Sequence, residues 1–412
     1  MRLLFDVHCH AMSLARPAIG RFVDAFLRGG LQSFFSQVAA PGYILTALSR
    51  NMGESVRNLF AVVENDPDAL LELIEDDLAG LYLSDDEAWR RVIGPDGPRL
   101  LGEDWDGWLI CPLLMDFGAR ATAHETYYRE PIRKSLAEGV REALAGVSGY
   151  QRERPDGRLI VRPFLGLDPG ARGAAETEAA LSTYFAGYAK GPPAQLRAFK
   201  AAARWKGDPA RPPRNAFAGV KLYPPLGFDP WPEDRAALDA ARLLYAFCER
   251  RDVPVVVHCD DQGYRTIALD LAMRYTDPDR WIPVLKAYPG LVVDFAHFGE
   301  RYLGRSRARG EWTESIIRLM ERYPGVYADV AFNGCEPAYW AKLARLVGSL
   351  PAATADIVRS RLLFGTDFVI SLTKTRSYLD YVSDFASSPL DAGLKRAMVA
   401  VNPSAFLFGS DA

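Results

Sequence analysis

The sequence predicts an α/β fold, a closed (β/α)8 TIM barrel with a helical insertion after its first strand. Three observations lead there. Short β-type runs begin near Ala218, Val253, Gly290, Gly325 and Arg361, spaced 35, 37, 35 and 36 residues apart, with helical patterns between them. Three further runs in the first half bring the count to eight, the number a closed barrel needs. Finally, four of only five histidines fall in these runs, and strand C-terminal ends are where a barrel assembles its site.

The elements follow in order. Leu3–His10 is an apolar run ending in a polar cluster and reads as the first strand. Residues 11–107 are too long for a simple loop and hold several helical patterns. One is Pro67–Tyr82, with Asp66 as N-cap and Pro67 at N1. Gly29–Ser49 is uncharged, but Gln32, Ser33, Ser36, Gln37 and the Pro41-Gly42 breaker make it a poor membrane span. It reads as two buried helices meeting at a turn. Glu75-Asp76-Asp77 and Asp85-Asp86-Glu87 lack calcium-loop spacing and read as solvated helix faces.

Trp108–Met115 and Leu159–Leu167 supply the second and third strands. Residues 170–217 form another long connection, ending in the Pro/Arg-rich stretch 205–214. Both long connections follow strands, so both are expected to cap the pocket and set substrate choice. The five later runs alternate with helical patterns at Asp234–Arg251, Pro278–Ala287, Thr313–Tyr323 and Pro337–Ser360, the last broken at Pro351. Such alternation indicates βαβ units and a parallel sheet. The runs share no repeating side-chain signature, which argues against a solenoid. No Gly-rich phosphate loop follows the first strand, which disfavours an open doubly wound sheet. The chain is therefore read as one unit, 1–412, including the 11–107 insertion.

Composition sets bounds. Of 412 residues, 49% are hydrophobic and 25% charged, ordinary for a globular enzyme. A formal net charge of −3 argues for neither nucleic acid nor an anionic membrane as partner. Five cysteines without a C-x-x-C pair read as reduced thiols in a cytoplasmic protein. No basic, apolar leader is visible at the N-terminus. The expected partner is a small-molecule substrate; a homo-oligomer is compatible with the sequence, which leaves the oligomeric state open.

The chemistry lies at the strand ends. His8 and His10 are two apart in a β-run, so their rings share a face, with Cα atoms roughly 6.5–7 Å apart. Alone, H-x-H is weak, since two buried histidines can simply satisfy each other's neighbours. Its weight comes from combination with His258 ending the fifth strand, His297 ending the sixth and Asp367 closing the eighth. Three imidazoles and a carboxylate suit a catalytic zinc or manganese ion with room for water. Arg162 and Tyr223 could hold an anionic or polar substrate group, against a plain packing role at the rim. His124 reads as a loop residue. Asp294 and Asp329 read as buried partners orienting ligands or loops.

Asp6-Val-His-Cys-His10, Gly219-Val-Lys-Leu-Tyr-Pro224, Val257-His-Cys259, Ala296-His-Phe298, Phe364-Gly-Thr-Asp367 and the closing Asn402–Gly409 stretch carry a wider likeness. This pattern resembles the amidohydrolase superfamily, closest to its amidohydrolase-related branch of metal-dependent barrel hydrolases and decarboxylases. The resemblance implies that His8, His10, His258 and Asp367 form the principal metal ligand set. In two-metal members a carbamylated lysine bridges the ions and the strand-6 histidine binds the second; Lys221 and His297 match those positions. In one-metal members that histidine is catalytic. An unmodified Lys221 could instead bind a substrate carboxylate or pair with Asp6 or Asp260, so its state stays open here.

The function expected is metal-dependent hydrolysis of an amide, lactone or ester of a small organic acid. The metal would bring a water toward a pKa of roughly 7, Asp367 would accept its proton, and His297, Lys221 or a second ion would stabilise the developing oxyanion. One or two divalent ions, zinc before manganese, are the cofactors implied. Two alternatives are non-oxidative decarboxylation of an aromatic or unsaturated acid on the same scaffold, and a metal-binding barrel without chemistry. The complete ligand set with Asp367 argues against the last.

Overall fold

The structure is a computed structural model that describes residues 2–11, 62, 65–117, 119, 135–302 and 310–409. Eight parallel strand positions form the barrel. They are β1 (Leu3–Cys9), β2 (Gly107–Pro112), β3 (in two pieces, Leu159–Val161 and Phe164–Gly166), β4 (Gly219–Leu222), β5 (Val255–Val257), β6 (Val293–Phe295), β7 (Val326–Asp329) and β8 (Leu362–Leu363). Each pairs in parallel with the next, from Leu3 opposite Gly107 round to Asp329 opposite Leu363. Past the end of β8 the backbone returns to β1. Val7 N donates to Phe364 O at 3.1 Å, and Asp367 N to His8 O at 2.8 Å. The ring is closed, and the break in β3 falls at Pro163, which has no N–H to give.

Alternation along the strands divides the core into two layers. Leu3, Phe5, Val7, Leu109, Cys111, Ile160, Val256 and Leu363 pack together inside the ring. Leu4, Trp108, Ile110, Val220, Val255, Val293 and Ala328 face the surrounding helices. The C-terminal helix, α-helix Asn402–Phe408, plugs the floor: Phe406 stacks on Phe164 (ring centroids 6.4 Å apart), while Phe408 meets Phe5 at 6.2 Å and Phe199 at 4.8 Å.

The later helices follow their sequence signals. Arg235–Arg251 starts behind Asp234, whose carboxylate accepts from Ala237 N at 2.8 Å. The pattern over 337–360 is two helices, Pro337–Ser349 and Ala352–Arg359, parted at Pro351. In the insertion, helix Pro67–Leu78 has Pro67 in its first turn, and the chain turns at Gly80 with φ +73°.

Two expectations need correction. The 11–107 insertion is not wholly helical: residues 93–104 form a small antiparallel meander, and Asp106 N bonds to Arg2 O at the start of β1. The 170–217 connection does not lie wholly over the site. Its second helix, Pro192–Ala202, packs on the C-terminal helix at the floor, because Phe199 is needed there to cover Phe408. The predicted buried helices over Gly29–Ser49 lie outside the described residues. Among the described residues, no helix is long and apolar enough to cross a membrane.

Candidate metal centre

Strict alternation from Leu3, Phe5 and Val7 would turn His8 and His10 outward. The register of β1 on β2 instead shifts between Asp6 and Cys9. This bulge reverses the pattern: Cys9 packs in the outer layer while both histidines turn in. Asp6, left on the outer side, clasps the bulge to the strand opposite. It accepts from His8 N (3.1 Å), Thr366 Oγ1 (2.6 Å), Thr366 N (3.2 Å) and Tyr378 OH (2.8 Å). Asp6 is therefore not a partner of Lys221. Burial raises its carboxyl to about 6 despite these donors.

His297 and Asp367 sit just beyond β6 and β8 with positive φ, 62° and 56°. Non-glycine residues take this left-handed region only when their surroundings impose it. Here Asp329 Oδ1 accepts from His297 N at 3.0 Å, and Asn333 Nδ2 donates to His297 O at 2.8 Å. Asp367 N is held by His8 O.

Three imidazoles have their Nδ1 committed. His8 Nδ1 meets Asp329 Oδ2 at 2.7 Å, His10 Nδ1 meets Leu113 O at 3.0 Å, and His297 Nδ1 meets Ala331 O at 2.9 Å. Each partner is an acceptor, so Nδ1 carries a proton, and in the neutral ring Nε2 offers its lone pair. His8 Nε2 and His10 Nε2 then converge on Asp367 Oδ1, at 3.4 and 3.0 Å. Lone pairs aimed at a carboxylate repel unless a proton or a metal cation stands between them. The residues present therefore fit a divalent metal, and their mixed N/O character suits zinc or manganese.

Without an ion, a proton on His8 fills the same gap. Burial would push His8 down, but the Asp329 carboxylate outweighs it and lifts the ring to about 9. His10 and His297 are lowered, chiefly by burial. Burial alone would raise Asp367, yet hydrogen bonds to His10 and His8 hold it well below the usual carboxylate range. Asp329 is likewise lowered, with His8 outweighing burial, whereas burial and the Asp329 charge drive its neighbour Asp294 well up.

His258 does not share one donor group with His8, His10 and Asp367. It clusters with Asp260 and His297. Its Nδ1 lies 3.2 Å from His297 Nε2, and its Nε2 lies 3.0 Å from Asp260 Oδ1. The two groups adjoin, with the His8 and His297 rings 4.9 Å apart.

Lys221 points into the ring from β4, and its Nζ makes no hydrogen bond to the described residues. Burial pulls its amine down to about 8, against the attraction of Asp329, Asp294, Asp367 and Asp260. Tyr223 lies over His258 with ring centroids 4.6 Å apart, and its hydroxyl accepts from Tyr264 N at 3.1 Å. Arg162 is turned away from the histidines. Its guanidinium donates to Tyr188 OH (3.2 Å) and Phe217 O (3.3 Å) in a small cavity lined by Phe199 and Phe408. The proline after it interrupts β3 and leaves it facing the floor. His124 lies outside the described residues. The role of Asp260 beside His258 escaped the sequence reading, although an H-x-D spacing was there to suggest it.

No curated protein matches the chain. Among solved structures it is similar to an uncharacterised TIM-barrel protein from Bordetella bronchiseptica (15% identity, covering 100% of both chains, TM-score 0.45). It is also similar to a 5-carboxyvanillate decarboxylase from Novosphingobium aromaticivorans with bound manganese (12%, 99% of this chain and 97% of that, 0.45). A third is an amidohydrolase from Burkholderia multivorans with bound zinc (13%, 99% of each, 0.45). The family model described as Amidohydrolase matches residues 115–409, from the end of β2 through the C-terminal helix. With well over half its length so matched, the chain belongs to the amidohydrolase family.

Proposed function

We propose that this protein is a metal-dependent hydrolase of an amide, lactone or ester of a small organic acid. The observation that carries this is the convergence of His8 Nε2 and His10 Nε2 on Asp367, with both Nδ1 atoms tied off. His8, His10 and Asp367 would hold the ion, with His258 and His297 beside them. When bound, the metal acidifies a water and polarises the scissile carbonyl. Asp367, kept ionised by its histidine contacts, takes a proton from the attacking water and returns it to the leaving group. Lys221 and His297 face the same interior and stabilise negative charge developing on the carbonyl oxygen. Five cysteines, each buried and unpaired, support a reducing cytoplasmic setting.

Hydrolysis is favoured over decarboxylation by the charges around the site. Beyond the metal itself, a decarboxylase would use a basic side chain to anchor the substrate carboxylate. Among the described residues, Arg162 is turned away and Lys221 already stands among four aspartates. A neutral acyl compound suits such an interior better than an acid does. The test is a panel of esters, lactones and amides, with carbon dioxide release from aromatic acids followed in parallel, on wild type and Asp367→Asn. Hydrolysis by wild type should fall about 10²–10⁴-fold in the variant with metal still bound. Undiminished hydrolysis by the variant would remove Asp367 as the base.

A further inference from the structure

We infer that the Pro/Arg-rich stretch 205–214 docks on the acidic, aromatic stretch 81–89 of a second copy of this chain, and the reverse, so that the protein is a two-fold dimer. This goes beyond the hydrolase reading and does not depend on it.

Charge is unevenly spread along a chain of net charge −3. Between 190 and 214 there are seven basic residues and one acidic, Asp208; between 66 and 106 there are thirteen acidic and three basic. The seven basic side chains are all exposed, and none forms a salt bridge among the described residues. Asp85 and Asp86 are exposed too, and neither forms one. Opposite unpaired charges on one chain draw its copies together. A nucleic acid or an anionic membrane would match the basic stretch but be repelled by the acidic one. A second copy satisfies both.

The acidic stretch carries apolar anchors. Trp89, Leu81 and Tyr82 are 80%, 66% and 63% exposed, the three most exposed large apolar side chains among the described residues. Tryptophan is highly buried on average, and at interfaces it is enriched among the residues that carry the binding energy. Three such side chains within one short acidic stretch mark a contact surface. The Pro/Arg-rich stretch complements it. Pro209, Pro212 and Pro213 fix their own φ and hold the residues before them extended. Pro-rich segments of this kind dock on aromatic side chains. Arg211 and Arg214 alternate with the prolines, so they meet Asp85 and Asp86 while proline rings pack on Trp89 and Tyr82.

Both stretches are tied down before docking, which reduces the entropy lost on association. Ser148 Oγ donates to Gly207 O at 2.8 Å, Arg204 Nη1 to Gly157 O at 3.1 Å, and Ala210 N to Asp208 Oδ1 at 2.9 Å. On the acidic side, Arg90 reaches Asp380 and Ser383, and Arg154 Nη1 donates to Asp76 Oδ1 at 2.8 Å. Ser148 lies in the helix Leu136–Glu153 and Arg154 directly follows it, so both stretches are fastened to one helix. A two-fold axis beside that helix sets the basic stretch of each copy on the acidic stretch of the other, the self-complementary arrangement of a closed dimer.

Sedimentation equilibrium of the full chain, with charge-swapped variants, tests the dimer. At about 100 μM and low ionic strength wild type should be dimeric, dissociating as salt rises toward about 0.5 M. Trp89→Ala should weaken the dimer about 30-fold or more. The double variants Arg211→Glu/Arg214→Glu and Asp85→Lys/Asp86→Lys should each be monomeric alone, because like charges then face each other. Mixed together they should dimerise, because both contacts become complementary again. Monomeric wild type overturns the inference, whether or not it binds duplex DNA or anionic vesicles. So does a dimer that ignores salt and survives in both double variants, or a mixture of the two that stays monomeric.

Discussion

Asp329 links two of the site histidines through one carboxylate. Oδ2 takes the His8 Nδ1 proton, while Oδ1 accepts from His297 N and from Ala331 N at 2.9 Å. Asp329→Ala should therefore lower zinc affinity about 10–100-fold, as loss of an orienting partner commonly does. Competition with a chromophoric chelator measures this, and unchanged affinity would show that Asp329 orients nothing. Lys221 carries a second prediction. Its folded pKa of about 8 lies below the ordinary 10.5. The folded state thus binds the proton less tightly than the unfolded chain, so burying Lys221 destabilises the protein below about pH 8. That penalty fades as pH rises toward about 10.5. Lys221→Met should stabilise metal-free protein by about 1–3 kcal/mol near pH 7 and by less near pH 10. Urea unfolding at the two pH values checks it; an equal gain at both would contradict the burial argument. Sequence reasoning located the polar strand ends but not their aim. Arg162 and Lys221 both follow apolar runs, yet one faces the floor and the other the site, since Pro163 interrupts β3 and nothing interrupts β4.

At the scale of elements, the bulge in β1 and the helix Asn402–Phe408 do the positioning. The H-x-H spacing told that both imidazoles share a face; it could not tell which face. Inward aim depends on the register shift, and the shift depends on Asp6 reaching Thr366 and Tyr378 some 360 residues away in sequence. Such long-range hydrogen bonds leave no local pattern. The floor helix is similar. Its apolar side chains were visible in the sequence, but their burial against Phe5, Phe164 and Phe199 follows only from ring closure. Phe408→Ala should cost about 3–5 kcal/mol, read by denaturant unfolding, while metal stoichiometry stays at the wild-type value. A variant that loses metal without losing stability would mean the floor and the site are coupled more tightly than the two-layer core implies.

For the whole molecule, the eight-strand count and the near-36-residue period were legible because each βαβ unit repeats the same change from β-type to helical periodicity. The placement of the long connections was not. Rules about strand ends say where a segment leaves the barrel, not where its apolar residues find cover; Pro192–Ala202 finds it at the floor. Closure brings β1 beside β8 and thereby sets His8 and His10 against Asp367, which no open sheet in this strand order would do. This assembly is proposed to hydrolyse acyl compounds through a bound metal. Turnover of the ester, lactone and amide panel should be measured on one preparation as purified, after metal removal, and after adding back zinc or manganese. Activity lost on removal and restored by the ion, without carbon dioxide release from aromatic acids, is the predicted result. Hydrolysis that persists at the same rate in metal-free protein, or carbon dioxide release as the only turnover, would contradict it.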